Sequence, residues 1–187
     1  MSETFTAFEG QRRFVSGSLA EVALAIRATT RPVSDTIAIF SDVTGRTIDL
    51  DLRGSKTEIL ARLPGASAVA PNEPRGRGRP KLGVVAREVT LLPRHWEWLN
   101  AQAGGASVAL RKLVEQARRA NADADRDRAA REAAYHFMSA IAGNLQNFEE
   151  AARALFAGER RRLTGLIAAW PADIRDHLVK LAYADRE

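Results

Sequence analysis

The chain contains no cysteine, and that absence removes disulfides, thiol nucleophiles and thiolate metal sites together. It fits a reducing compartment. Nowhere does an apolar run approach the roughly 20 residues that cross a bilayer, and the opening Met1-Ser2-Glu3-Thr4 has no basic stretch followed by an apolar one. A cytoplasmic protein without a membrane segment is expected. Histidine is scarce: His95, His136 and His177 lie far apart in sequence, and no two stand at the spacing of a helical metal pair. No serine occupies a nucleophile elbow. Gly54-Ser55-Lys56-Thr57 fails as a phosphate loop, because serine separates glycine from lysine and the upstream glycines are wrongly spaced. Asp42, Asp49 and Asp51 are of the type that holds a hard divalent cation, but a solvated strand face is the expected explanation for them. The expectation is no enzyme, no catalytic residue, no metal and no cofactor.

What the chain does have is unevenly placed positive charge. Of 28 basic and 23 acidic residues, positions 1–60 hold 7 and 8, positions 61–119 hold 11 and 4, and positions 120–187 hold 10 and 11. The whole excess therefore lies in the middle third, as an electrostatic footprint for a polyanion would. Arginine supplies 24 of the 28 basic residues, which suits planar recognition of phosphates and base edges. A GC-rich genome would favour arginine too, though it would not cluster it.

The fold class expected is α+β, in four segments. Residues 1–63 read as a small ββαββα domain: strands at Thr4–Phe8 and Arg13–Val15, a helix capped by Ser18 with Glu21 three residues on, a hairpin of Thr36–Phe40 with Thr47–Leu52, and a short helix from Ser55 to Leu63. Pro32 is expected to end the first helix. Residues 64–84 hold four prolines and no apolar periodicity, so they read as a disordered, flexible basic linker. Residues 85–120 read as strand, helix, helix: a strand at Arg87–Leu92, a helix opened by Pro93 that carries Trp96 and Leu99, and another capped by Ser107 with Leu110, Leu113, Val114 and Ala117 on one face. Residues 121–187 read as a C-terminal helical bundle. Its inward positions include Ala130, Ala133, Ala134, Phe137 and Ile141, then Ile174, Leu178 and Leu181.

Within the linker stands Arg75-Gly76-Arg77-Gly78-Arg79-Pro80-Lys81. Its Arg77-Gly78-Arg79-Pro80 core resembles the AT-hook, a short DNA-binding segment, over about nine residues. The resemblance implies minor-groove binding at A·T-rich double-stranded DNA. Physical chemistry gives a reason of its own: glycine has no Cβ, so the backbone can approach the groove floor and the flanking arginines can extend along it. A·T tracts offer a narrow, strongly negative groove that lacks the guanine amino group. Pro80 restricts the free chain and Lys81 reaches phosphate. The additional Arg75-Gly76 repeat also suits single strands or RNA, and a solvated low-complexity linker is the bland alternative.

Arg87 to Arg119 resembles a ribbon-helix-helix module, on the strength of the short strand, Leu92-Pro93 at its junction with a helix, the Gly104-Gly105 break before Ser107, and Leu110-Arg111-Lys112-Leu113-Val114. That resemblance implies a homodimer with paired strands, and Arg87 and Thr90 as DNA contacts. Strand alternation puts Arg87, Val89 and Leu91 on one face, which is a poor base-reading surface. Dimerisation is the role favoured for this module, with Trp96, Trp98 and Leu99 as core or dimer contacts.

Most of the chain also resembles a bacterial family of uncharacterised conserved proteins, through Asp49-Leu50-Asp51-Leu52-Arg53-Gly54-Ser55 and the stretch from Gly78-Arg79-Pro80-Lys81 to Trp98. No activity comes with that resemblance. Together these features lead to a nucleoid-associated protein or transcriptional regulator that binds DNA through Arg75 to Lys81 and Arg87. A protein-interaction adaptor with an incidental basic linker is the competing expectation.

Overall fold

The computed structural model describes residues 3–29, 37–63 and 85–183. Two compact units divide the chain, one holding the described residues of 1–68 and 125–187, the other those of 69–124.

In the first unit, alternation at the start of the chain produces β1 (Phe5–Glu9) and β2 (Arg12–Gly17), followed by α1 (Leu19–Ala28), β3 (Ile37–Ser41), β4 (Thr47–Ile48) and α2 (Lys56–Arg62). Both helices open on capping boxes. Ser18 Oγ accepts from the Glu21 amide while the Glu21 carboxylate accepts from the Ser18 amide, and Ser55 and Glu58 repeat the arrangement. Two otherwise orphaned amide donors are satisfied at each helix start, a contribution of about 1 kcal/mol per cap.

The antiparallel sheet runs β2-β1-β3-β4, so β1 and β3 are central. Strand periodicity splits β1 into two faces. Phe5 and Ala7 join Ile39 and pack against Val22 of α1, and Phe8 joins Phe40 on the opposite face. That opposite face is covered by the C-terminal helices α5 (Ala122–Ile141), α6 (Phe148–Ala157), α7 (Arg160–Leu166) and α8 (Ala172–Tyr183). Phe40 meets Phe137 of α5 edge to face at 4.9 Å, and Leu155, Leu163 and Leu178 bring the other three helices into the same core. Helices α5–α8 share one core with each other, and Phe8 and Phe40 of the sheet belong to it.

The turn between β3 and β4 fixes one point of this contact. Gly45 has φ +65, and a Cβ placed there would lie 1.8 Å from the carbonyl oxygen of Ala133 in α5. Only glycine combines that backbone conformation with that approach.

Three local expectations need correction. Strand β4 ends at Ile48, not Leu52, because Asp51 turns back to accept from the Arg53 amide and side chain; local side-chain bonds of this kind compete with ladder pairing. Helix α1 ends at Ala28, before the Pro32 expected to stop it; Pro32, like Thr36, lies outside the described residues. The inward stripe of α5 includes Met138, which periodicity had not singled out, with Ala133, Ala134 and Phe137. Among the described residues, no helix is long and apolar enough to cross a membrane.

Candidate nucleic-acid interface

Arg75, Gly76, Arg77, Gly78, Arg79, Pro80 and Lys81 lie outside the described residues. Arg87 lies within them, exposed, in a stretch from 85 to 92 without regular structure. The strand expected at Arg87–Leu92 is absent. A strand exists through its ladder of hydrogen bonds, and the one sheet among the described residues is that of β1–β4, so this stretch has no neighbour to pair with. The alternation that grouped Arg87 with Val89 and Leu91 loses its basis; Thr90 is exposed as well.

A pair of helices succeeds this irregular stretch. Leu92 is extended and Pro93 opens α3 (Pro93–Asn100), where its missing amide donor costs nothing. Gly104 has φ +88 and serves as N-cap of α4 (Gly105–Ala120), so this helix starts two residues before the expected cap, Ser107. A Cβ on Gly104 would also crowd Val108 at 3.2 Å. Leu99 of α3 and Ala109 of α4 are buried, Trp96 is half-buried, and Trp98 is 53% exposed.

Apolar exposure is concentrated in this second unit. Val85, Val89, Leu92, Trp98, Leu113 and Val114 are all exposed, and the last two share a stripe of α4 with the half-buried Leu110. Leu110, Leu113, Val114 and Ala117 recur at the three- and four-residue steps that align one helix face. The described part of this unit thus covers two apolar side chains and leaves six large ones open.

A different cluster lies in the first unit. The Asp42 carboxylate is 7% exposed and accepts from Thr4 Oγ1 at 2.9 Å, Thr6 Oγ1 at 2.8 Å and Lys180 Nζ at 2.9 Å. Burial alone would raise its pKa, but the bonds from Lys180, Thr6 and Thr4 outweigh that and hold it below the ordinary carboxylate value. His177 of α8 is 1% exposed, with its ring set edge-on against Phe8 and Phe137. Its Nε2 stands 3.6 Å from Asp42 Oδ1, beyond hydrogen-bond reach, and neither ring nitrogen finds a partner among the described residues. Burial pushes the imidazole pKa down to about 4 despite the Asp42 charge. Through Asp42, Thr4 and Thr6 at the sheet are tied to Lys180 of α8. The sequence carried a signal for this burial: His177 follows Ile174 by three residues and precedes Leu181 by four, on the inward stripe of α8.

The remaining acidic and histidine candidates stay apart. Asp51 is paired with Arg53 at 2.8 Å and Arg62 at 2.7 Å, Asp49 is exposed past the end of β4, and Asp42 is committed as above. His95 is exposed on α3, and His136 on α5 sits 3.0 Å from the Arg46 guanidinium. Among the described residues, no three acidic or histidine side chains converge to hold a metal ion.

A model of one protein family, described as "Uncharacterized protein conserved in bacteria (DUF2239)", matches residues 4–182. No curated protein and no solved structure matches the chain.

Proposed function

This chain belongs to the bacterial DUF2239 family, and from that premise we propose that it is a non-catalytic, nucleoid-associated DNA-binding protein that contacts the minor groove of A·T-rich duplexes through Arg75 to Lys81. The observation that carries the reading is the placement of charge. Positions 61–119 exceed neutrality by seven positive charges (11 − 4), and the Arg77-Gly78-Arg79-Pro80 core with Lys81 falls inside that stretch. Phosphate attraction supplies the affinity, and the narrow A·T groove rewards inserted guanidinium groups.

The protein acts as a homodimer. The exposed apolar stripe of α4, with Trp98 and Leu92, supplies the surface on which a second copy sits. The irregular stretch 85–92 supplies backbone that two copies can pair, the arrangement the ribbon-helix-helix resemblance implies. Two hooks in one dimer raise apparent affinity through effective concentration. Such binding would regulate transcription or compact the nucleoid, and Arg87 adds a phosphate contact close to the hook.

Binding of the wild-type protein and of Arg77→Ala/Arg79→Ala to A·T-rich and G·C-rich duplexes of equal length tests the reading. The wild type is expected to prefer the A·T-rich duplex, and the double variant to lose that preference with most of its affinity. Equal binding by both proteins would overturn it.

A further inference from the structure

Helix α4 carries a second surface that neither the hook nor the dimer uses. At about 3.6 residues per turn, Arg111, Lys112, Glu115, Arg118 and Arg119 fall within roughly a third of the helix circumference, on the side away from Leu110, Leu113, Val114 and Ala117. Within the 16 residues of this helix, four cations face one carboxylate. Glu115 draws Arg118 at 3.0 Å and Arg119 at 2.8 Å, yet these arginine side chains remain 73% and 77% exposed. Arg111 and Lys112 are exposed and make no ion pair among the described residues. Between the two basic pairs lies a shallow cleft of about 410 Å³, lined by Arg111, Lys112, Glu115, Gln116 and Arg119.

We infer that this face of α4 is a second DNA contact, which grips the phosphate backbone of the duplex whose minor groove the hook enters; the inference rests on the DNA-binding reading above. Charge complementarity carries it. The four cations, against one carboxylate, form two pairs seven residues apart, roughly 10 Å along a rigid rod, a layout that follows a phosphate track and reads no base. A basic helix with an apolar back also suits an anionic membrane surface. Against that use, the apolar side here is narrow, has no aromatic residue and ends at Ala117, while the hook motif lies upstream in the same chain.

The test is a salt titration of full-length protein on an A·T-rich duplex, comparing wild type with Arg111→Gln/Lys112→Gln and with Glu115→Gln. Each phosphate contact contributes about 0.9 to the slope of log affinity against log salt. The double variant should therefore lose about 1.8 per protomer from the slope and on the order of tenfold in affinity, with its A·T preference intact. Removing the one carboxylate on this face should tighten binding several-fold. An unchanged slope in the double variant, or weaker binding by Glu115→Gln, overturns the inference and leaves the hook reading standing. A wild type that ignores DNA overturns both. Vesicles of phosphatidylglycerol that bind wild type and release the double variant, with DNA binding equal in the two proteins, would assign this face to membranes instead. A larger loss on single-stranded RNA than on duplex DNA would likewise overturn the assignment.

Discussion

Both ring nitrogens of His177 are enclosed by aromatic rings beside Asp42, so protonation would place a new charge in a site closed to water. Its folded pKa of about 4 lies below the ordinary 6.5. Between those two values the unfolded chain binds a proton that the folded chain refuses, so stability is full above about 6.5 and falls as pH drops towards 4. The loss attached to this one group is on the order of 3 kcal/mol. Asp42, held below the usual carboxylate range, gives up its own contribution only at lower pH. Urea midpoints at pH 7 and pH 4.5 should therefore differ strongly for the wild type and much less for His177→Leu; parallel shifts in both proteins would contradict the assignment. Gly45→Ala tests the other single-residue constraint. Positive φ and the clash with the Ala133 carbonyl act together, so a loss of at least about 2 kcal/mol in denaturant unfolding is expected. A loss below about 0.5 kcal/mol would show that the turn relaxes freely.

Helix starts were the most legible elements, because their signals are local and chemical. Ser18 with Glu21, the helix start at Ser55, and Pro93 each stand where the sequence placed them, since such signals need only the neighbouring residues, whereas Gly104 and not Ser107 caps α4. Strands were less legible. Thr47–Leu52 alternates well enough for six residues, yet pairing stops at Ile48 where Asp51 finds arginine partners that no alternation pattern reports. Arg87–Leu92 shows the same limit more sharply: a strand needs a neighbour, and the chain supplies none among the described residues. Periodicity did identify the apolar stripe of α4, though its exposure became visible only in the structure. That stripe should hold two copies together. Leu113→Glu/Val114→Glu is expected to stay folded by circular dichroism and to run at monomer mass in light scattering, and the wild type is expected to run as a dimer. A dimeric variant would move the interface elsewhere.

Across the whole molecule, the sequence missed how far apart in the chain the parts of one core lie. Thr6 and Phe8 look like an ordinary half-polar strand face, but Thr6 is satisfied inside by Ser16 and Asp42, and Phe8 reaches the C-terminal helices. Pattern reading cannot show this, because a buried threonine with partners and a solvated one have the same letter. Of the proposed site, Arg75 to Lys81 lie outside the described residues, and their reading rests on the sequence. Composition located the charge excess and the motif gave it a chemistry, while the second basic face on α4 emerged only once the helix bounds set the angles between Arg111, Lys112, Arg118 and Arg119.

The central claim is that positions 75–81 give this protein its hold on DNA. Deleting positions 74–81 and titrating salt against an A·T-rich duplex tests it most directly. Affinity for that duplex should fall by at least tenfold, and the dependence on salt should flatten by more than two in the log-log slope, as removal of four cations requires. The same affinity and the same slope with and without the segment would contradict it.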